Sequence, residues 1–147
     1  MRRLKRIFQT TAIFAAFAPA LANASVDATM AQGIKDRELC VVDNIDVQPE
    51  FRNAMVRSLA NRGYTARFVA KKDECEVAMA FNATYGMTGG WGPRRVLKSA
   101  AMVVYRDSQA IGSAHFRYER SMFGGGSNGS VEEVISQMIF KMLPPGP

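Results

Sequence analysis

The side chains with the most chemical potential fall in three places. Trp91 is the chain's one tryptophan, and Arg94 and Arg95 follow it closely. Trp and Arg are among the types most enriched at binding hot spots. They sit on Gly86-Met87-Thr88-Gly89-Gly90-Trp91-Gly92-Pro93, a run too rich in glycine to be regular structure and so read as an adaptable loop. If that loop binds, its partner is a protein or an anionic envelope component, met by an aromatic anchor flanked by bidentate donors. The alternative is that Trp91 folds back to cap a sheet edge and leaves its arginines solvated. The second place is His115 with Arg117 two residues on, side by side on one face of a strand. The third is the cysteine pair, Cys40 and Cys75.

Catalytic patterns are poorly matched. A hydrolytic triad needs a base beside Ser or Cys, and the single histidine, His115, has Arg117 for its strand-face neighbour. Metal catalysis needs more ligands than one His and scattered carboxylates, so no metal and no cofactor is expected. The paired carboxylates Asp73/Glu74 and Glu132/Glu133 read as a solvated turn and a helix N-terminus. Asp43-Asn44-Ile45-Asp46 lacks the Gly and terminal Glu of an EF-hand loop. Gly124-Gly125-Gly126-Ser127-Asn128-Gly129 lacks the Lys-Ser/Thr of a phosphate-binding loop and reads as a linker. The methionines read as core filler.

The compartment is easier to read than the chemistry. Arg2, Arg3, Lys5 and Arg6 precede an apolar segment from Ile7 to Leu21, and Ala22-Asn23-Ala24 completes the small-x-small pattern of a secretory cleavage site. Residues 1–24 are therefore expected to be a signal peptide, cleaved after Ala24. The apolar segment contains Gln9, Thr10, Thr11 and Pro19 and falls short of a membrane span, so none is expected after cleavage. Cleavage removes four positive charges, taking the formal +6 to 6 − 4 = +2. Near-balance, with no basic run longer than Lys71-Lys72 or Arg94-Arg95, leaves no electrostatic footprint for nucleic acid. In an oxidising compartment the even cysteine count reads as a Cys40–Cys75 disulfide. Cys40 follows Arg37-Glu38-Leu39 instead of small residues, which argues against lipidation there.

The elements that would position these residues follow from periodicity. Lys98 to Arg120 reads as a hairpin turned at Asp107-Ser108-Gln109. Its first strand, Ala100 to Tyr105, is an apolar run suited to burial on both faces. The second places Gly112, Ala114, Phe116 and Tyr118 on one side and Ser113, His115, Arg117 and Glu119 on the other. Residues 25–38 are expected to be a flexible leader, loosely ordered or a short helix. Leu39 to Val42 is a strand. Pro49 opens a helix with a stripe of Phe51, Met55, Val56 and Leu59, closed by Gly63. Tyr64 to Ala70 and Glu76 to Tyr85 alternate as strands, the latter with Val77, Met79, Phe81, Ala83 and Tyr85 on one face. Ser130 and Glu133 make a capping box for a last helix with Val131, Val134, Ile135, Met138, Ile139 and Met142 inward, stopped by Pro144-Pro145. The order β-α-β-β-β-β-α implies an α+β fold, a four- to five-stranded mainly antiparallel sheet covered on one face by two helices. Residues 39–143 form this one domain and 144–147 a tail.

The order, the Asn61-x-Gly63-Tyr64 turn, the Ala80 or Ala83, Tyr85, Trp91 stretch, the V-x-x-Y-R-D-x-x-x-x-G-x-A hairpin from Val103 to Ala114, and the glycine-rich loop before the last helix together resemble a family of small uncharacterised lipoproteins of Gram-negative envelopes. A more distant likeness is to the two-layer α/β lipoprotein that plugs the lipopolysaccharide translocon. The resemblance covers Leu39 to Leu143. It implies an envelope location, a non-enzymatic role and a protein partner. Lipoproteins carry an acylated cysteine just after the signal, whereas this chain has Ala24 and Ser25 there, so a soluble periplasmic or secreted form is expected.

Three functional classes follow. The first is a non-catalytic periplasmic accessory or assembly factor that binds an envelope protein through the Trp91 loop. The second is an inhibitor or immunity protein that inserts that loop into an enzyme's cleft. The third is a small-molecule or lipid binder.

Overall fold

The computed structural model describes residues 25–87, 91–118 and 130–147. The expected signal peptide, the middle of the Trp91 loop, Glu119 and the Gly124–Gly129 connection lie outside the described residues. Among those described, the order is β1 (Ser25–Thr29), β2 (Glu38–Val42), α1 (Pro49–Arg62), β3 (Thr65–Val69), β4 (Val77–Met87), β5 (Arg95–Arg106), β6 (Gln109–Arg117) and α2 (Val131–Met142). The fold is α+β. One six-stranded sheet runs β1-β6-β5-β4-β2-β3, and both helices cover the same face of it.

The sheet is mixed rather than nearly all antiparallel. β1, β6, β5 and β4 pair antiparallel in turn, but β2 is parallel to both β3 and β4. The parallel pairing of β2 with β3 follows from α1, because a helix between two strands carries the chain back to start the second in the same direction. The sixth strand is β1, in the segment expected to be a loosely ordered leader. Its residues pair Ser25↔Arg117 through Thr29↔Ser113, and Val26 is buried.

Alternation in the sequence becomes the two faces of the sheet. Leu39 and Val41 of β2, Met79 and Phe81 of β4, Met102 and Val104 of β5, and Ala114 and Phe116 of β6 point into the core beneath the helices. Phe51 stacks on Phe81, ring centroids 5.8 Å apart. From α1 the core takes Phe51, Ala54, Met55 and Leu59; Val56 is exposed instead. The reason is helical geometry: Phe51, Met55 and Leu59 are spaced by four, and their neighbours on that stripe are Ala54 and Ser58, whereas Val56 lies about 100° further round. β5 is buried on one face only, since Ala101, Val103 and Tyr105 are half-exposed on the face opposite the helices.

The helix ends are fixed by the residues expected to fix them. Gly63 takes φ 96°, and its N–H and that of Tyr64 bond back to Ala60 and Leu59. Ser130 Oγ accepts from Glu133 N–H while the Glu133 carboxylate accepts from Ser130 N–H. Beyond α2, Tyr64 Oη donates to Pro144 O at 3.0 Å and Gly146 N–H to Arg62 O at 2.8 Å, which fastens the C-terminal residues to the end of α1. The hairpin turn is tighter than the expected Asp107-Ser108-Gln109. Asp107 and Ser108 alone form it, both at positive φ, as the two-residue hairpin turn that matches strand twist requires.

Candidate functional site

β4 and β5 are longer than the strands beside them. β5 leaves β6 at Ser99↔Arg117, and β2 touches β4 only at Cys40↔Ala78 and Val41↔Met79, yet β4 and β5 stay paired out to Met87↔Arg95. Gly86 and Met87, expected to belong to the loop, therefore pair with Val96 and Arg95 in a two-stranded arm beyond the sheet. A lone two-stranded ribbon is marginal in water, so the arm has to be tied down. Three contacts do this. Leu97 turns inward and is buried with Tyr85 packed against the core. The Arg95 guanidinium lies 5.3 Å from the Tyr85 ring centroid. With the Gln48 amide turned so that its oxygen faces the cation, Gln48 accepts from the Arg95 guanidinium.

A bulge sets the geometry of this arm. Thr84 pairs with Ser99 but Tyr85 pairs with Leu97, so Lys98 is the extra residue. It inverts the alternation of β5, and that inversion is what brings Leu97 to the core side. Thr84 and Ser99, one step toward the sheet, face the other way and share a 2.6 Å hydroxyl hydrogen bond.

At the end of the arm Trp91 is fully exposed, at 106%. It does not fold back onto the sheet edge. Met87 (58% exposed) and Ile45 (93%) share that end of the molecule, because β2 runs parallel to β4 and its following loop sits beside the arm. Asn44 holds that loop in place, donating from Nδ2 to Phe81 O at 3.0 Å and accepting from Asp46 N–H. Large apolar groups this exposed are informative when they gather at one end, whereas scattered ones are not.

The expected cluster of Trp91, Arg94 and Arg95 thus divides in role. All three are exposed, and Arg95 also contacts Gln48 and the Tyr85 ring, so it works as a tie for the arm. His115 and Arg117 lie on the face away from the helices, both exposed, His115 opposite Asp27 on β1 and Ala101 on β5. They belong to a different face from the arm's end. Gln48 and Tyr85 are the site residues that sequence reasoning did not single out for this role; Tyr85 was visible as an inward residue of β4 and as part of the resemblance motif that ends at Trp91. Burial, and next the carboxylate of Glu50, raise the Tyr85 phenol above its ordinary value, against the opposing pull of Arg95.

Cys40 and Cys75 are bonded, with Cα atoms 6.4 Å apart. The bond lies on the open face of the sheet in a small cluster with Val69 and Ala78, separate from the main core. Such a bond belongs to oxidising compartments. Among the described residues no helix is long and apolar enough to cross a membrane.

The chain matches no family model and no curated protein sequence. Its fold is shared with a PelC dodecamer from Paraburkholderia phytofirmans, at TM-score 0.59 and 12% identity over 80% of this chain and 98% of that one. A point variant of that dodecamer gives 0.55 and 13% over 79% and 94%. A minor lipoprotein from Acinetobacter baumannii gives 0.32 and 8% over 69% and 83%, too remote a likeness to bear on the fold.

Proposed function

We propose that this chain is a non-catalytic exported protein of the cell envelope that works by binding another envelope protein through the Trp91 end of the β4–β5 arm. The observation that carries this reading is a fully exposed tryptophan on an arm that Arg95, Gln48, Tyr85 and Leu97 hold in place. Holding the arm beforehand lowers the ordering cost of association, and exposed Met87 and Ile45 supply further apolar surface at that end of the sheet. The disulfide and the signal-like N-terminal sequence support a periplasmic location.

The test is capture from cross-linked envelopes with tagged protein, native against Trp91→Ala. The expected result is a protein captured by the native form and lost by the variant. Equal capture by both would move the binding surface elsewhere, with the His115/Arg117 face next in line.

A second reading is favoured by one specific observation. The PelC proteins that share this fold are dodecamers, and here both edges of the sheet, β1 and β3, have no strand beyond them among the described residues. Unpaired strand edges are ready templates for another copy. Light scattering on the purified protein separates the readings: a mass of many subunits that survives Trp91→Ala supports assembly through the edges.

A further inference from the structure

The Cys40–Cys75 bond has surroundings that a purely structural cross-link does not need. Arg67 lies beside Cys40 on the neighbouring strand, Cys40↔Arg67 in the β2–β3 register. Its Nη2 donates to both sulfurs, at 3.3 Å to Cys40 Sγ and 3.1 Å to Cys75 Sγ. Glu38, one more residue on the same face, takes Arg67 Nε at 2.9 Å and so keeps Nη2 turned toward the sulfurs. A neutral disulfide gains little from a cation. A thiolate gains much, and a stabilised thiolate is a better leaving group.

Access is unequal. Cys40 is buried at 4% exposure, whereas Cys75 is half-exposed in the short connection between β3 and β4. A surface cavity of about 520 Å³ opens over the pair, walled by Lys35, Arg37, Glu76 and Val77 among others. Cys75 is thus the more open of the two to an incoming group, Cys40 is covered, and the guanidinium backs both sulfurs.

We propose that Cys40–Cys75 is a thiol–disulfide exchange site, entered at Cys75 and assisted by Arg67, for a dithiol reductant. The thiolate of the dithiol attacks Cys75 Sγ. The sulfur–sulfur bond breaks, and its electron pair leaves on Cys40 Sγ, where Arg67 stabilises the thiolate. The second thiol of the reductant then loses its proton and attacks its own sulfur in the mixed disulfide, releasing Cys75. Two electrons pass from the dithiol, which becomes a disulfide, to the cysteine pair, and the protons of the two thiols are shared between the new cysteine thiols and solvent. The main core lies on the other face of the sheet, so the fold remains while the β3–β4 connection is released from β2. Arg67 touches the reacting sulfurs directly and acts on the leaving thiolate.

The experiment is equilibration of the full chain in oxidised and reduced dithiothreitol, with alkylation to count free thiols, for the native protein and for Arg67→Lys, Arg67→Gln and Arg67→Glu. The expected order of ease of reduction is native and Lys first, then Gln, then Glu. Arg67→Gln should shift the equilibrium toward the disulfide by about tenfold, which is about 30 mV for a two-electron couple. In denaturant the differences should vanish. A brief reaction with glutathione, quenched in acid and mapped by peptide mass, should place the adduct on Cys75. Equilibria that ignore the charge at residue 67, or an adduct on Cys40, would overturn the proposal. The adduct mapping uses the native protein and decides the point even if a variant fails to fold.

Discussion

Tyr85 is the residue at which the arm's attachment can be read directly. Its phenol is raised above the ordinary 10.0 first by burial and next by Glu50, while Arg95 pulls it down. Burial likewise raises Tyr64, whose hydroxyl donates to Pro144 O. A phenol that holds its proton more tightly when folded stabilises the fold below its unfolded value, and that contribution is lost as pH rises through the folded value. Denaturant midpoints should therefore fall on going from about pH 8 to above pH 10, and Tyr85→Phe should flatten the fall. Arg95→Ala should push the Tyr85 titration, followed by phenolate absorbance, still higher and cost about 1 kcal/mol by freeing the arm. Trp91→Ala is the contrasting case: a fully exposed side chain should change stability by less than about 0.5 kcal/mol while removing the binding surface. Trp91 was legible as a candidate from residue type and its glycine-rich setting. The separate task of Arg95 was not, because Gln48 is distant in sequence and only the fold brings it close.

At the scale of elements, what could be read depended on whether a pattern was local. The inward face of β4 and the stripe of α2 appear in the alternation and the helical spacing themselves, and Ser130 with Glu133 marks the start of α2. The bulge at Lys98 broke the pattern of β5. Leu97 and Ala100 both face inward, which no single strand period allows, and the expected strand began only at Ala100. β1 was hidden differently. Ser-Val-Asp-Ala-Thr carries one buried apolar residue, and what holds it is pairing with β6, Lys141 Nζ donating to Val26 O at 3.1 Å, and the chain just beyond it. There Ala31 lies so close to Gly112 that a Cβ at residue 112 would stand 2.6 Å from the Ala31 Cβ and 2.7 Å from its N. Gly112→Ala should thus push this segment off the sheet, at a cost of about 1–3 kcal/mol, with hydrogen exchange faster in residues 26–31 than in β4. Ser130→Ala, by contrast, should cost about 1 kcal/mol through the lost cap and leave β1 protected.

Across the whole molecule the two faces of the sheet hold the protein together by different means. One is covered by α1 and α2 over a continuous apolar core reaching from Val26 to Leu143. The other has no helix over it among the described residues and carries the disulfide, His115 and Arg117. The cross-link spans 35 positions, from the strand before α1 to the connection after β3, so it encloses α1 and β3 in one loop. Closing a loop of that length restricts the unfolded chain by about 4 kcal/mol in the chain-entropy account. Because that effect acts on the unfolded state and the core lies on the other face, replacing both cysteines with alanine should leave the folded secondary structure unchanged by circular dichroism while lowering the unfolding free energy by up to about 4 kcal/mol. Burial sharpens the expectation. Cys40 is packed with Val69 and Ala78, so alanine there also loses a little packing, whereas at half-exposed Cys75 it loses almost none. The double variant should therefore be slightly less stable than native protein whose disulfide has been reduced, when both are measured by denaturant titration. A double variant with no cooperative transition would mean that the core beneath the helices cannot hold the sheet without the cross-link.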